Sequence, residues 1–425
     1  MRTPHFAPLP ATCLVDETLC IRVLGVQKGD RVGVRLASAG ASGSMWLSMA
    51  TFVAGGTELD LTRDAPVSGS YEGADAMGLF WSRVATPSVD GEVHADPMTL
   101  TLSAAIEGAG RSTPHHIRRS FGRDGLRHLD VCEDGVIAKL FEPDGLGPHP
   151  AVLVVGGSGG AFQWSGEMAA LLASRGFAAL AVAYFGLPGL PATLDRIPIE
   201  YFGNALRWLQ RRPSVDAERI GVIGASRGGE LAFLLGATYS TLRVVIAYVP
   251  SGILWSGYPP SGHAAWTWQG RELPFANHMP RHQFARLLAS EHAIIVEGVR
   301  DNTPNTSDPY LPAPAAVAAA TIPVERINGP VMMVTGQADE IWPCERLTTY
   351  ALQRMRACKF VHRVEHLSYP GAGHGICWPN VITAVTRFKH PVSGAEINLG
   401  GSAAANAHAS RDSWPRMLAF LRDSL

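Results

Sequence analysis

From residue 151 onward the chain contains short runs that are apolar throughout and end at glycine or a turn. "AVLVVGG" (151–157), "FAALAVAYFG" (177–186), "IGVIGA" (220–225) and "RVVIAYV" (243–249) are of this kind. A strand with one face in water alternates apolar and polar residues, whereas a strand apolar on both faces must be covered on both. Amphipathic stretches fall between the runs, in "GEMAALLASRG" and "EYFGNALRWLQRR", and a further helix opens at Ser226. Later "VMMVTG" (331–336) and "KFVHRVEHLSYPG" (359–371) supply two more strands. Apolar strands alternating with helices predict an α/β domain, a mostly parallel sheet flanked by helices.

Up to about residue 130 the pattern is different. "CIRVLGV" (20–26) and "DRVGVRLAS" (30–38) flank the turn "QKG", and "MWLSMATFVA" and "PMTLTLSAAI" follow. Short alternating strands without helical periodicity predict an antiparallel β-sandwich. A chain of 425 residues exceeds what one hydrophobic core usually organises. The division expected is therefore 1–130 for the sandwich and 131–425 for the α/β domain. Between residues 250 and 328 the strand–helix rhythm breaks into a segment rich in Pro, Gly, His and Trp, with one helical piece around "HQFARLLASEHAI". An irregular stretch of that length is expected to serve as a lid-like insertion or binding loop.

With 46% hydrophobic and 17% charged residues and a formal charge of −1, the chain has no electrostatic footprint for nucleic acid or an anionic membrane. Only four of its 36 basic residues are lysine, a bias expected of a GC-rich coding genome and so of a bacterial source. Six cysteines are scattered without metal-finger spacing and read as reduced thiols. The first residues lack a signal-peptide pattern, no apolar run approaches the ~20 residues of a membrane span, and the chain ends Asp423-Ser424-Leu425. A cytoplasmic protein is the expectation. Oligomeric state is not legible.

The run "IGVIGA" leads into "SRGGE", so that Gly224-Ala225-Ser226-Arg227-Gly228 matches G-x-S-x-G between a strand and a helix. In that context the serine of a nucleophile elbow occupies a strained turn, and small flanking residues keep the neighbouring backbone clear. The competing reading is a Gly-rich turn whose serine caps the helix. A nucleophilic serine needs a base and an acid, which in such folds follow it on loops after later strands. "VMMVTGQADEIWP" presents Asp339 after one strand, and "VEHLSYPGAGHGICWP" presents His374 after the next. Glu340, which adjoins Asp339, and Asp301 and Asp308 in the insertion compete for the acid, but Asp339 is the expectation because the acid should come from the loop after a sheet strand. Among fifteen histidines only His374 has the strand–Gly–His–Gly setting. Cys377, three residues on, reads as a buried and inert thiol.

"VVGGSGGAFQW" (154–164) closes the first strong central strand and opens a helix. Backbone N–H groups of Gly157, Ser158 and Gly159, with that of Arg227, could form an oxyanion hole. The turn does not match a dinucleotide fingerprint and no P-loop lysine follows, so no cofactor and no metal site is expected.

With these motifs in place, the chain resembles the family that joins acyl-CoA thioesterases with bile acid-CoA:amino acid N-acyltransferases. The likeness runs through "DETLCIRVLGVQKGDRVGVRLAS", "ELDLTRDAPVSGSYEGADAMGLFWS", "RGFAALAVAYFGLPGLPATLDRIPIEYFGNALRWL", "IGVIGASRGGELAFLLGA", "IPVERINGPVMMVTGQADEIWP", "YPGAGHG" and "NAHASRDSWPRMLAFL". It implies a small Ig-like β-sandwich followed by an α/β-hydrolase domain, with nucleophile, acid and base on Ser226, Asp339 and His374. It also implies an acyl-CoA or acyl-carrier-protein thioester as substrate. The thioesterase branch uses serine as nucleophile and the N-acyltransferase branch cysteine, so Ser226 points to water as acceptor. Two departures stand out. Residue 227 is Arg where the thioesterases carry Lys, at an elbow position expected to be partly exposed. The insertion "LWSGYPPSGHAAWTWQGRELPFANHMPRHQF" has its own aromatic-rich character and is expected to border the acyl pocket.

An acyl-CoA thioesterase is thus the first expectation. An acyltransferase of the same architecture, passing the acyl group to an amine or hydroxyl, is the second. A hydrolase of other esters or amides is a third on fold grounds alone. A binding protein on an inactive scaffold predicts a missing triad member, and all three candidates are present.

Overall fold

The computed structural model describes residues 2–40, 44–86, 98–276 and 314–425. They form two units. The first comprises Met1–Arg123 with Trp378–Thr386 and Ser402–Arg411, and the second Asp124–Cys377 with Arg387–Gly401 and Asp412–Leu425.

In the first unit, alternation becomes burial. Along Arg31–Ala39 the side chains of Val32, Val34 and Leu36 are fully buried while Arg31 and Arg35 face out. Each such burial contributes ~1.5–3 kcal/mol. This strand pairs antiparallel with Met45–Val53 on one side and Met98–Ile106 on the other, at the centre of a seven-stranded sheet. A three-stranded sheet joins His5–Phe6, Arg22–Leu24 and Glu58–Asp60. Val23 and Leu59 of the small sheet share one core with Val34, Phe52 and Leu102 of the large one, the two-layer packing of a β-sandwich. The strands flanking "QKG" lie in different sheets, so that turn passes between layers.

The second unit is built on eight strands: β1 (Arg127–Glu133), β2 (Val136–Glu142), β3 (His149–Val155), β4 (Ala178–Ala183), β5 (Val215–Ala225), β6 (Leu242–Tyr248), β7 (Val331–Gly336) and β8 (Val364–Tyr369). Their order is β1-β2-β4-β3-β5-β6-β7-β8. All neighbours from β4 to β8 run parallel, and β2 is antiparallel to both β1 and β4. Every residue of β4 and β7 is buried, as the continuous apolar runs require. Helices α1 (Ser165–Ala173), α2 (Ile199–Gln210), α3 (Arg227–Thr238) and α4 (Cys344–Ala357) accompany the strands. In α2, Phe202, Leu206 and Leu209 recur at helical spacing and are buried, with Glu200 in the first turn and Arg207 in the last. This is the sheet of an α/β-hydrolase fold.

Two differences from the sequence reading concern organisation. A division at residue 130 cuts through β1, whose seven residues pair with β2. Its burial pattern, one buried residue in seven, leaves it no hydrophobic signature. Stretches beyond residue 377 also belong to the first unit, a return that local patterning does not reveal. Of the insertion, residues 250–276 and 314–328 are described, and in the first stretch Trp266–Trp268 pairs in parallel with Ile197–Pro198 and antiparallel with Arg271–Glu272. The stretch "HQFARLLASEHAI", Asp301 and Asp308 lie outside the described residues. Among the described residues no helix is long and apolar enough to cross a membrane.

Candidate active site

Strand β5 ends at Ala225 and α3 begins at Arg227, leaving Ser226 alone at the corner with φ 59° and ψ −124°. A non-glycine residue held there costs ~1–3 kcal/mol, so the surroundings must impose it. They do so through close backbone approach. A Cβ on Gly224 would stand 2.0 Å from the Gly228 carbonyl oxygen, and one on Gly228 2.4 Å from that of Gly156. The Ser226 N–H donates to the Tyr248 carbonyl at the end of β6 (2.9 Å), and the Ser226 carbonyl accepts from Gly229 and Glu230 in the first turn of α3. The Ser226 side chain makes no capping bond to that helix. It lines a pocket of about 230 Å³ instead, which answers the competing reading of a helix cap.

Asp339 follows β7 and His374 follows β8. Asp339 Oδ2 accepts from His374 Nδ1 at 2.7 Å, while Oδ1 accepts from the N–H groups of Ile341 (2.9 Å) and Trp342 (3.2 Å). With its carboxylate side chain fully buried and both oxygens engaged, Asp339 holds the proton of His374 on Nδ1. That leaves Nε2 as an acceptor, and His374 lines the same pocket as Ser226. The Trp342 ring meets the imidazole edge-on, with centroids 6.1 Å apart. Cys344, beneath this loop, has its thiol pushed well up by burial and by the charge of Asp339. Glu340 is engaged elsewhere, accepting from the Asn398 side chain at 2.7 Å.

The turn after β3 lies against the elbow. A Cβ on Gly157 would stand 3.3 Å from Ser226 Cβ and 3.8 Å from its Oγ. The hydroxyl of Tyr184, kept protonated by burial, donates to the Gly156 carbonyl at 2.5 Å and holds the turn in place. Gly157, Ser158 and Gly159 all line the pocket. Opposite them the first N–H groups of α3, that of Arg227 included, have no acceptor one turn back within the helix.

Two family profiles cover this chain. Residues 197–425 match "BAAT / Acyl-CoA thioester hydrolase C terminal", and residues 16–133 match "Acyl-CoA thioester hydrolase/BAAT N-terminal region". The chain belongs to this family. It is 28% identical over 414 residues to peroxisomal succinyl-coenzyme A thioesterase of Mus musculus, covering 95% of this chain and 93% of that one. It is likewise 28% identical to acyl-coenzyme A thioesterase 1 of Mus musculus, covering 100% and 97%. With bile acid-CoA:amino acid N-acyltransferase of Mus musculus the identity is 26%, covering 98% and 97%. As a member of this acyl-CoA thioester hydrolase family, the chain is an enzyme.

Three features of this family member depart from the sequence reading. Arg227 is not partly exposed: its side chain is 2% accessible. Its Nη1 stands 3.1 Å from Glu230 Oε2, and Nη2 donates to the carbonyls of Trp255 (3.3 Å) and Ser256 (3.0 Å). Glu230, also fully buried, accepts from the Trp266 indole at 2.7 Å. The reason is that α3 is buried along its first ten residues, so its first turn points into packed insertion backbone. Cys377 is half-buried, not buried, because the loop after His374 runs along the pocket.

The third departure is a wall that sequence reasoning missed. Residues 387–399, a short hairpin of Arg387–Lys389 and Glu396–Asn398, bring Phe388, His390, Ile397 and Leu399 to the pocket. The His374 N–H donates to the Leu399 carbonyl at 2.7 Å, so this segment also seats the base. Its strands are three residues long, and nothing distinguished His390 among fifteen histidines. The turn residues of "HPVSGAE" were the available signal.

Proposed function

We propose that this chain is an acyl-CoA thioesterase acting through Ser226, His374 and Asp339. The observation that carries the reading is the Asp339–His374 bond of 2.7 Å opening onto a pocket lined by Ser226, whose hydroxyl is free of helix capping. Ser226 Oγ attacks the thioester carbonyl as His374 Nε2 takes its proton. The oxyanion accepts from the N–H of Arg227 and from the turn at Gly157, Ser158 and Gly159, and collapse expels the thiolate of coenzyme A, which takes the proton from His374. His374 then deprotonates a water that attacks the acyl-enzyme, and returns the proton to Ser226 as the acid leaves. Asp339 fixes the tautomer and stabilises the imidazolium throughout. The similarity to acyl-CoA thioesterases over nearly the whole chain supports the thioester bond as target. Serine at the nucleophile position supports water as acceptor.

The test is free-thiol release from acyl-CoAs of graded length, with and without amino acids. Wild type is expected to release thiol without an acceptor, and Ser226→Ala to lower the rate by about 10⁴-fold or more. Turnover only with an amine present would replace this reading by an acyltransferase. Release only from acyl-carrier-protein thioesters would move the donor.

A further inference from the structure

Ser158 and His390 form a second hydroxyl–imidazole pair in the same pocket, with Oγ and Nε2 2.9 Å apart. Its polarity is opposite to that of His374. His390 Nδ1 accepts from two backbone N–H groups, those of Val392 (3.2 Å) and Ser393 (3.3 Å). A ring nitrogen that accepts carries no proton, so the neutral imidazole keeps its proton on Nε2 and donates it to Ser158 Oγ. His390 therefore cannot serve as a base toward Ser158. It turns the serine round instead. The Oγ accepts from the ring, and the hydroxyl's own proton is directed away from it.

The ring is locked in this role. His390 is 5% exposed, and the Tyr258 ring packs edge-on against it with centroids 4.8 Å apart. The Tyr258 and Ser393 hydroxyls lie 3.0 Å apart, closing the same turn from its far side. Ile341, Phe388, Ile397 and Leu399 give the same pocket an apolar wall, and the Gln163 side chain lines it near Gly159. Ser158 directly follows Gly157, which abuts Ser226, and both serines line the same pocket. An oriented donor in an apolar wall discriminates: a ligand oxygen satisfies it, whereas a plain hydrocarbon strips its water and leaves it unpaired.

We propose that Ser158, oriented by His390, is a specificity-determining residue that donates a hydrogen bond to an oxygen substituent on the acyl chain close to the thioester. The pocket then favours hydroxyacyl or oxoacyl thioesters over unsubstituted acyl thioesters of equal length. Ser158 is the contact and His390 the positioning residue. The inference rests on the thioester reading above.

Binding to the Ser226→Ala protein, which leaves the thioester intact, tests it separately from hydrolysis. Titration calorimetry with butanoyl-, 3-hydroxybutanoyl- and 3-oxobutanoyl-CoA is expected to give Kd values about 5- to 20-fold lower for the two oxygenated ligands. Adding Ser158→Ala should bring that ratio near one, and adding Ser158→Thr, which keeps the hydroxyl, should preserve it. His390→Phe should lower the ratio when Ser158 is present and leave it unchanged once Ser158 is alanine, a dependence that mere structural damage would not produce. A ratio near one before Ser158 is altered overturns the proposal. So does an equal weakening of all three ligands by Ser158→Ala, since the donor would then serve the carbonyl or the coenzyme A arm common to them. Should wild type release no thiol while the binding ratio holds, hydrolysis falls and the subsite stands.

Discussion

The two sides of the pocket are built by different means. One side, the elbow and the turn after β3, stands on the carboxyl ends of two adjacent central strands, β3 and β5. Backbone packs on backbone there, and atoms have no room to shift. The other side, residues 387–399, belongs to a small satellite cluster in which Ile341, Ala395 and Ile397 pack with Phe388 and Leu399. The first holds groups where a reaction demands sub-ångström placement. The second supplies an apolar surface and the His390 ring that directs the Ser158 hydroxyl of the first, and it meets the loop of the base where the Leu399 carbonyl backs onto Gly373.

The sharpest break in this comparison is Asp339→Asn. Its Oδ1 still accepts from Ile341 and Trp342, so the loop should fold, but the amide N–H now faces His374 Nδ1 and forces the opposite tautomer. On the proposed mechanism thiol release falls by about 10³–10⁴-fold with little change in melting temperature. A variant that keeps a tenth of wild-type activity would remove Asp339 from its role. Next comes the contrast of Gly228→Ala with Gly394→Ala. At Gly228 a methyl would stand 2.4 and 2.5 Å from two backbone oxygens, whereas at Gly394 nothing lies within 4 Å and only its φ of 70° opposes a side chain. Urea unfolding should show a loss of about 3 kcal/mol or more for the first and about 1 kcal/mol for the second. Equal losses would mean the two sides are equally rigid. A loss between these two is expected for Ile397→Ala, about 2 kcal/mol, at the low end for a buried aliphatic because a small cluster can collapse. Its more telling readout is activity against acyl length, which should shift toward longer chains as the apolar wall recedes.

The same contrast governs what could be read from the sequence. Continuous apolar runs predicted the parallel sheet because a strand covered on both faces has no polar positions to spare. The G-x-S-x-G spacing was legible for a related reason: Gly224 and Gly228 are where backbones nearly touch, so the motif records a packing constraint. Asp339 and His374 were legible because strand ends dictate where loops converge, and the fold brings the two within 2.7 Å. The 387–399 side left no such trace, since strands of three residues carry no periodicity. Strand β1 was missed because six of its seven residues are exposed. Arg227 was misjudged because G-x-S-x-G specifies backbone space at the elbow and says nothing of what later packs over its side chain.

That buried arginine limits how such enzymes can be recombined. Arg227 and Glu230 sit on the helix that carries the nucleophile, and their partners Trp255, Ser256 and Trp266 sit in the insertion. An insertion exchanged between relatives is not a free cassette: a breakpoint between helix and insertion would leave the buried pair without the two carbonyls and the indole that the insertion supplies, at a cost of about 1–3 kcal/mol for each buried group left unpaired. The insertion and the two residues beneath it are heritable only as a set.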